Sequence, residues 1–274
     1  MVSTDLKQVA KEIRGLTIEC ISSIGAGHIG GSMSIIDLLT VLYYKQMNID
    51  PANPKMEGRD RLVVSKGHAG PAVYATLASK GYFPKSELMT LNKFNTNLPS
   101  HCDMNKTIGV DMTTGSLGQG ISCGVGLALA SKIKNDNAHI FVIVGDGESQ
   151  EGQVWEAAMF AAHKKLDNLF VFLDSNKLQL DGYTKDVADN GDQTLKWLGF
   201  GFDVHIIDGN NIYAIDGAIE QAKQNKGKPH VIIMNTVKGK GVSIFEKAGI
   251  ASHSMPIDEE TKEKALEELG IKGE

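Results

Sequence analysis

Between residues 141 and 182 the chain alternates in a way that leaves few folds open. An apolar run, Phe141-Val142-Ile143-Val144, breaks into Gly145-Asp146-Gly147-Glu148-Ser149-Gln150-Glu151-Gly152. Val154, Trp155, Ala158, Met159 and Ala162 then recur at three- and four-residue steps, the spacing of one helix face. A second apolar run, Leu169-Phe170-Val171-Phe172-Leu173, ends in Asp174-Ser175-Asn176-Lys177-Leu178-Gln179-Leu180-Asp181-Gly182. Strand, loop, helix, strand is the unit from which a parallel sheet is built. In such sheets ligands gather beyond the carboxyl ends of the strands, and Asp146 and Asn176 each stand just past one expected end. Their oxygens suit a hard cation such as Mg²⁺ or Ca²⁺ and suit a soft metal poorly. The helix starting between them presents free N–H groups, which attract phosphate. The stretch therefore predicts a divalent cation bridging protein oxygens to a phosphorylated ligand.

Composition narrows the class further. The 274 residues are enough for one large domain with a substantial core. A net charge of -5 argues against a general nucleic-acid binder. No apolar run is long enough to span a bilayer, and Met1-Val2-Ser3-Thr4-Asp5-Leu6-Lys7 lacks the layout of a signal peptide. Cys20, Cys102 and Cys123 have no metal-site spacing and an odd count, so they read as free thiols of a reducing compartment. A cytoplasmic protein with neither a nucleic-acid nor a membrane partner is expected.

Along the chain, Leu6, Val9, Ile13, Leu16, Ile18 and Ile21 predict a helix over residues 6–24, which ends in Gly25-Ala26-Gly27-His28-Ile29-Gly30-Gly31. Ser34 is placed to cap a helix over 35–46. A short strand over 61–65 leads into Lys66-Gly67-His68-Ala69-Gly70-Pro71 and a helix over 72–80, with another short helix over 86–92. Residues 95–112 have weak periodicity and many turn formers, and read as a long functional loop. Thr113-Thr114-Gly115-Ser116-Leu117-Gly118-Gln119-Gly120 opens a helix reaching 134. Past the organising unit, helices are expected over 191–199 and 212–225, strands over 202–207 and 230–235, and a charged, solvated helix over 258–274. The whole reads as one α/β domain, a mostly parallel sheet with helices on both faces. Gly25-Ala26-Gly27-His28-Ile29-Gly30 fits the G-x-G-x-x-G dinucleotide fingerprint, but a helix precedes it where that motif requires a strand, so NAD binding is not expected. Met33 and Met47 read as core residues.

Asp146 and Asn176 could each simply cap a turn, and Gly147 could be a plain turn glycine. Their combination says more. Gly145-Asp146-Gly147 followed by Asn176 resembles the thiamine diphosphate signature, and the chain is similar to the N-terminal half of transketolase. The matching segments are Gly27-His28-Ile29-Gly30, Ser65-Lys66-Gly67-His68-Ala69, Thr113 to Gly120, Gly145 to Gly152, Asp174 to Gly182 and Ile207-Asp208-Gly209-Asn210-Asn211, in the family's order. The chain stops where the family's pyrimidine-binding domain would begin, so it resembles the N-terminal subunit of a split transketolase. The resemblance implies one 1–274 diphosphate-binding domain, inactive without a C-terminal subunit on a separate chain, and an α₂β₂ assembly.

By that resemblance the cofactors are thiamine diphosphate and Mg²⁺, with Ca²⁺ or Mn²⁺ as substitutes. Asp146, Asn176 and the backbone carbonyl of Leu178 are the implied metal ligands. His28, His68, His101 and His253 match histidines that contact substrate hydroxyls, the carbonyl oxygen or the diphosphate; an imidazole titrates near neutrality and can donate or accept. Gly115, Ser116, Leu117, Gly147, Glu148 and Asn176, with His68 and His253, are the implied cofactor contacts. Glu151 matches a carboxylate that lies at the subunit interface and communicates with a glutamate of the other half. Lys238 falls where relatives place residues near substrate or cofactor, although a solvated loop lysine explains it equally. Ile29, Ser116 and Asn210 depart from the proline, proline and histidine common at those places, which leaves the sugar undefined. The implied reaction is transfer of a two-carbon ketol unit from a ketose, or its phosphate, to an aldose. The α subunit of a 2-oxo acid dehydrogenase, a deoxyxylulose-phosphate synthase-like enzyme, a non-catalytic thiamine diphosphate-binding subunit and a Mg²⁺-dependent phosphate enzyme stay open as alternatives.

Overall fold

The structure is a computed structural model that describes residues 5–271. The reading of the first four residues and the last three residues of the expected tail helix lie outside that range. Five strands form one parallel sheet: β2 (Arg61–Val64), β3 (Ile140–Gly145), β4 (Leu169–Ser175), β5 (Asp203–Asp208) and β6 (His230–Asn235), in the order β2-β3-β4-β6-β5. A two-residue antiparallel pair, β1 (Ala26–Gly27) with β7 (Met255–Pro256), lies apart from it.

Alternation along the strands fills both faces of the sheet. Phe141, Ile143, Phe170, Phe172, Ile232 and Met234 turn to one face, where they pack with residues of α1 (Leu6–Ser22), α2 (Ile29–Met33), α3 (Ile36–Val41), α4 (Gly70–Lys80) and α9 (Ile212–Gln224). Ile140, Val142, Val144, Leu169, Val171, Leu173, Val231 and Ile233 turn to the other, under α5 (Gln119–Lys134), α6 (Gly152–His163) and α8 (Gln193–Gly199). Helices on both faces and a parallel sheet are as expected. The remaining helices are α7 (Thr184–Val187), α10 (Ser243–Ala248) and α11 (Glu259–Glu268).

Register places the functional loops at one level. Gly145 lies beside Asp174, and Asp174 beside Met234, so the loops after β3, β4 and β6 leave the sheet together. Several details differ from expectation. The tail helix runs only over Glu259–Glu268, and the short helix expected over 86–92 is a 3₁₀ turn, Lys85–Thr90. Ser34 follows α2 in helical backbone and caps no helix; its hydroxyl donates to the buried carboxylate of Asp174 at 2.7 Å, a stronger attachment than a free N–H offers. The helix expected over 35–46 divides into α3 and a π-helical turn, Leu42–Gln46. The helix near 191 begins only at Gln193, capped by Asp192 Oδ1. β1, β7, α7 and α10 are too short to carry a periodic signal.

Candidate active site

One cleft of about 350 Å³ opens at the carboxyl ends of the strands. Asp146 enters it from the loop after β3, and Asn176 and Leu178 from the loop after β4. Asp146 is buried; its Oδ1 accepts from Gly147 N at 2.9 Å and its Oδ2 from Lys177 N. Burial first, then the charge of Asp174, pushes its carboxyl up to about 6. Asn176 Oδ1 accepts from Leu178 N at 3.0 Å. Lys238, also buried, reaches in from the loop after β6, its Nζ donating to the Leu178 carbonyl at 3.4 Å and to His253 Nδ1 at 3.3 Å. Burial, then Lys66, lowers the Lys238 ammonium to about 8.

Four imidazoles also line the cleft. The ring of His28 lies 5.4 Å from that of His68, 5.7 Å from His101 and 5.5 Å from His253, and His68 lies 5.1 Å from His253, between centroids. They come from four separated loops, and the structure shows what gathers them. His28 follows β1 and His253 precedes β7, so that small antiparallel pair brings them together across 225 residues of chain, 253 minus 28. His68 sits in a tight turn whose Gly67 lies against Thr114; a Cβ there would meet the Thr114 carbonyl oxygen at 2.7 Å, so no larger residue fits without a shift. His101 is held through its carbonyl, which accepts from Tyr74 Oη at 3.2 Å, and through its neighbour Cys102, whose carbonyl accepts from Thr114 N at 3.0 Å. Burial, the neighbouring rings and the lysines lower His28, His68 and His253, the last to about 4. These three rings are therefore neutral near pH 7, each with one donor and one acceptor nitrogen.

The other expected residues divide. Gly115, Leu117, Gly147, Glu148 and Glu151 line the cleft, whereas Ser116 is exposed beside it. Gly115 has φ +150°, and a Cβ there would lie 3.1 Å from His101 Cδ2. Gly147 gives room to Gln179, whose Cβ would be 2.9 Å from an added Cβ. The Glu148 carboxylate faces inward and joins three loops, accepting from Ser65 Oγ, from Gly118 N at 2.9 Å and from Gly145 N at 3.0 Å. Glu151 is exposed at the start of α6, with no side-chain bond to the helix it precedes. Sequence reasoning gave no role to Lys66 and Asp174, a buried ion pair of 2.6 Å in the lining of the cleft. Burial raises the Asp174 carboxyl, but Lys66 and the hydrogen bonds from Thr236 and Ser34 outweigh it and hold the group below the ordinary carboxylate range.

Comparison decides the lineage. The chain matches the family described as "Transketolase, thiamine diphosphate binding domain" over residues 6–274. It belongs to the transketolase family. Among curated relatives, a 6-deoxy-6-sulfo-D-fructose transketolase subunit of Clostridium sp. (strain MSTE9) is 53% identical over 269 residues, covering 98% of each chain. An apulose-4-phosphate transketolase subunit of Actinobacillus succinogenes is 42% identical, over 97% of this chain and 96% of the relative. A transketolase structure from Pichia stipitis superposes with TM-score 0.92 at 28% identity, over 98% of this chain and 41% of that one. The Campylobacter jejuni transketolase gives TM-score 0.90 at 32% identity, over 99% and 43%. The chain thus spans less than half of those whole transketolases, yet nearly all of relatives that are named as single subunits. The expected family, fold and character of a transketolase subunit with a thiamine diphosphate-binding domain hold.

The transketolase cleft can be tested for the groups its family implies. Its candidate metal ligands are one carboxylate, one amide oxygen and one carbonyl, a hard-oxygen set that suits Mg²⁺, Ca²⁺ or Mn²⁺. Among the described residues no three or more His, Cys, Asp and Glu side chains could hold a metal ion by themselves. The three oxygens leave coordination positions of a hard cation to fill, and a diphosphate offers oxygens of the right kind. The carboxyl of Asp146, buried and raised to about 6, marks a place where a bound cation would be favourable. The residues fit the groups.

Proposed function

We propose that the chain is the N-terminal, thiamine diphosphate- and Mg²⁺-binding subunit of a two-chain transketolase that moves a two-carbon ketol unit from a ketose to an aldose. The observation that carries this reading is the cleft that the Asp146–Asn176–Leu178 oxygen set shares with four clustered imidazoles. When bound, thiamine diphosphate supplies the electron sink for breaking and making the carbon–carbon bond beside a carbonyl. The chain's own residues hold and orient. Asp146, Asn176 and the Leu178 carbonyl would hold Mg²⁺, for which Ca²⁺ or Mn²⁺ could substitute, and Lys238 adds positive charge beside them. His28, His68, His101 and His253 would donate to, or accept from, the sugar's hydroxyl and carbonyl oxygens, steadying charge as it develops there. Gly115 and Leu117 line the cofactor's wall, and Glu148 fixes that wall to the metal loop.

A complementary C-terminal subunit, supplying the other half of each site in an α₂β₂ assembly, belongs to the same reading, as does a cytoplasmic setting. The exposed carboxyl of Glu151 at the rim is free to face that subunit. The names of the two single-subunit relatives pair a ketose with a terminal sulfonate or phosphate. We extend the class to this chain: a ketose donor ending in such an anion. Calorimetric titration of thiamine diphosphate, with and without Mg²⁺ and the complementary subunit, tests the reading. Binding that requires Mg²⁺ and tightens with the second subunit is expected, and Asp146→Ala should abolish ketol transfer by the reconstituted pair. Binding indifferent to Mg²⁺, or a fully active Asp146→Ala pair, contradicts it.

A further inference from the structure

Asp174 is fully buried near the end of β4, and its carboxylate faces donors from four segments. Lys66 Nζ donates to Oδ2 at 2.6 Å, Ser34 Oγ at 2.7 Å and Asn176 Nδ2 at 3.0 Å, while Thr236 Oγ1 donates to Oδ1. Well-packed apolar residues often replace a buried ion pair at no loss of stability. The pair therefore raises the question of what it does besides stabilise the fold.

The answer lies in the Asn176 amide. Its nitrogen faces the ionised Asp174, and its oxygen faces the N–H of Leu178 at 3.0 Å. Turning the amide over would set oxygen against carboxylate and NH₂ against N–H, so both contacts select one orientation. In that orientation Oδ1 is directed away from Asp174 and keeps a lone pair that Leu178 does not use. The geometry points to Asp174, held by Lys66, as the positioning residue that presents Asn176 Oδ1 to Mg²⁺. This rests on the metal reading above. Outer partners of metal ligands typically govern about 10- to 100-fold in metal affinity.

Two variants separate orientation from charge. Asp174→Asn keeps an oxygen for Lys66, Ser34 and Asn176 and turns its NH₂ toward the Thr236 hydroxyl, but loses one negative charge. Lys66→Met with Asp174→Leu leaves the net charge unchanged but removes the acceptor. The Mg²⁺ concentration needed for half-maximal thiamine diphosphate binding is measured calorimetrically on the chain with its complementary subunit, well below the melting temperature. The Met/Leu pair should raise it about 10-fold or more, and Asp174→Asn by less. On an Asn176→Ala background the Met/Leu pair should add nothing. The reverse ranking, a wild-type-like Met/Leu pair, or an undiminished loss without Asn176 would each overturn the positioning role. If the Met/Leu pair lacks a cooperative melting transition, Asp174→Ser, which withdraws the acceptor from Asn176, takes its place with the same deciding results. Wild-type binding that ignores Mg²⁺ would instead refute the metal reading itself, before any variant is made.

Discussion

His253 shows how much a single side chain in this cleft is altered by its surroundings. Burial first, then Lys238 and His28, bring its imidazole from 6.5 to about 4, and His28 and His68 shift the same way. Such a group binds fewer protons folded than unfolded, so its stability contribution is present above 6.5 and is lost as pH falls from 6.5 toward about 4. Asp146 acts oppositely: raised from 3.8 to about 6, it binds more protons when folded, so it adds stability as pH falls from about 6 toward 3.8. Four imidazoles are lowered, His230 with the three of the cleft, against two raised carboxyls, Asp146 and Glu148, so the metal-free chain should unfold at lower denaturant at pH 5 than at pH 7. His253→Gln should flatten that loss and Asp146→Asn should steepen it, as read by denaturant midpoints. A His253→Gln chain with an unchanged pH slope would contradict the assignment. At this scale Asp146 and Asn176 were legible because each ends an apolar run, where a polar residue has a predictable place. Lys66 and Asp174 were not, because the partner of a buried charge depends on which strands become neighbours.

The elements carry the site by bringing distant loops to one level. Strands β3, β4 and β6 were legible from their unbroken apolar runs, which only a sheet covered on both faces can bury. The β1–β7 pair was not, since two residues hold no periodicity, yet it joins His28 to His253. Ile257, fully buried just past β7, anchors that pair, and its N–H donates to the Gly25 carbonyl at 2.8 Å. Ile257→Ala should cost about 2–5 kcal/mol in chemical denaturation. It should also weaken ketol transfer by the reconstituted pair more than it weakens Mg²⁺-dependent cofactor binding, because the loops of Asp146 and Asn176, the proposed metal ligands, stand on other strands. Equal losses in both would mean that the clasp supports the whole cleft rather than its histidine wall. Ser34 was misread for a related reason: a local capping preference yielded to a charged partner 140 residues away.

Over the whole molecule, the sheet buries both faces and leaves one end open, and the chemistry gathers at that end. The parallel sheet followed from the apolar runs, and the family from glycine-rich motifs kept in order along the chain. The buried network, Ser34–Lys66–Asp174–Thr236, required the three-dimensional register. The account depends on a hard cation held jointly by this chain and a diphosphate. Mn²⁺ reports on it directly by electron paramagnetic resonance, because free and bound ions give distinct spectra. With thiamine diphosphate present, the reconstituted pair should take up one tightly bound Mn²⁺ per chain, displaced by Mg²⁺, and Asp146→Ala should lose it. Mn²⁺ bound as tightly without thiamine diphosphate, or retained by Asp146→Ala, would contradict the account.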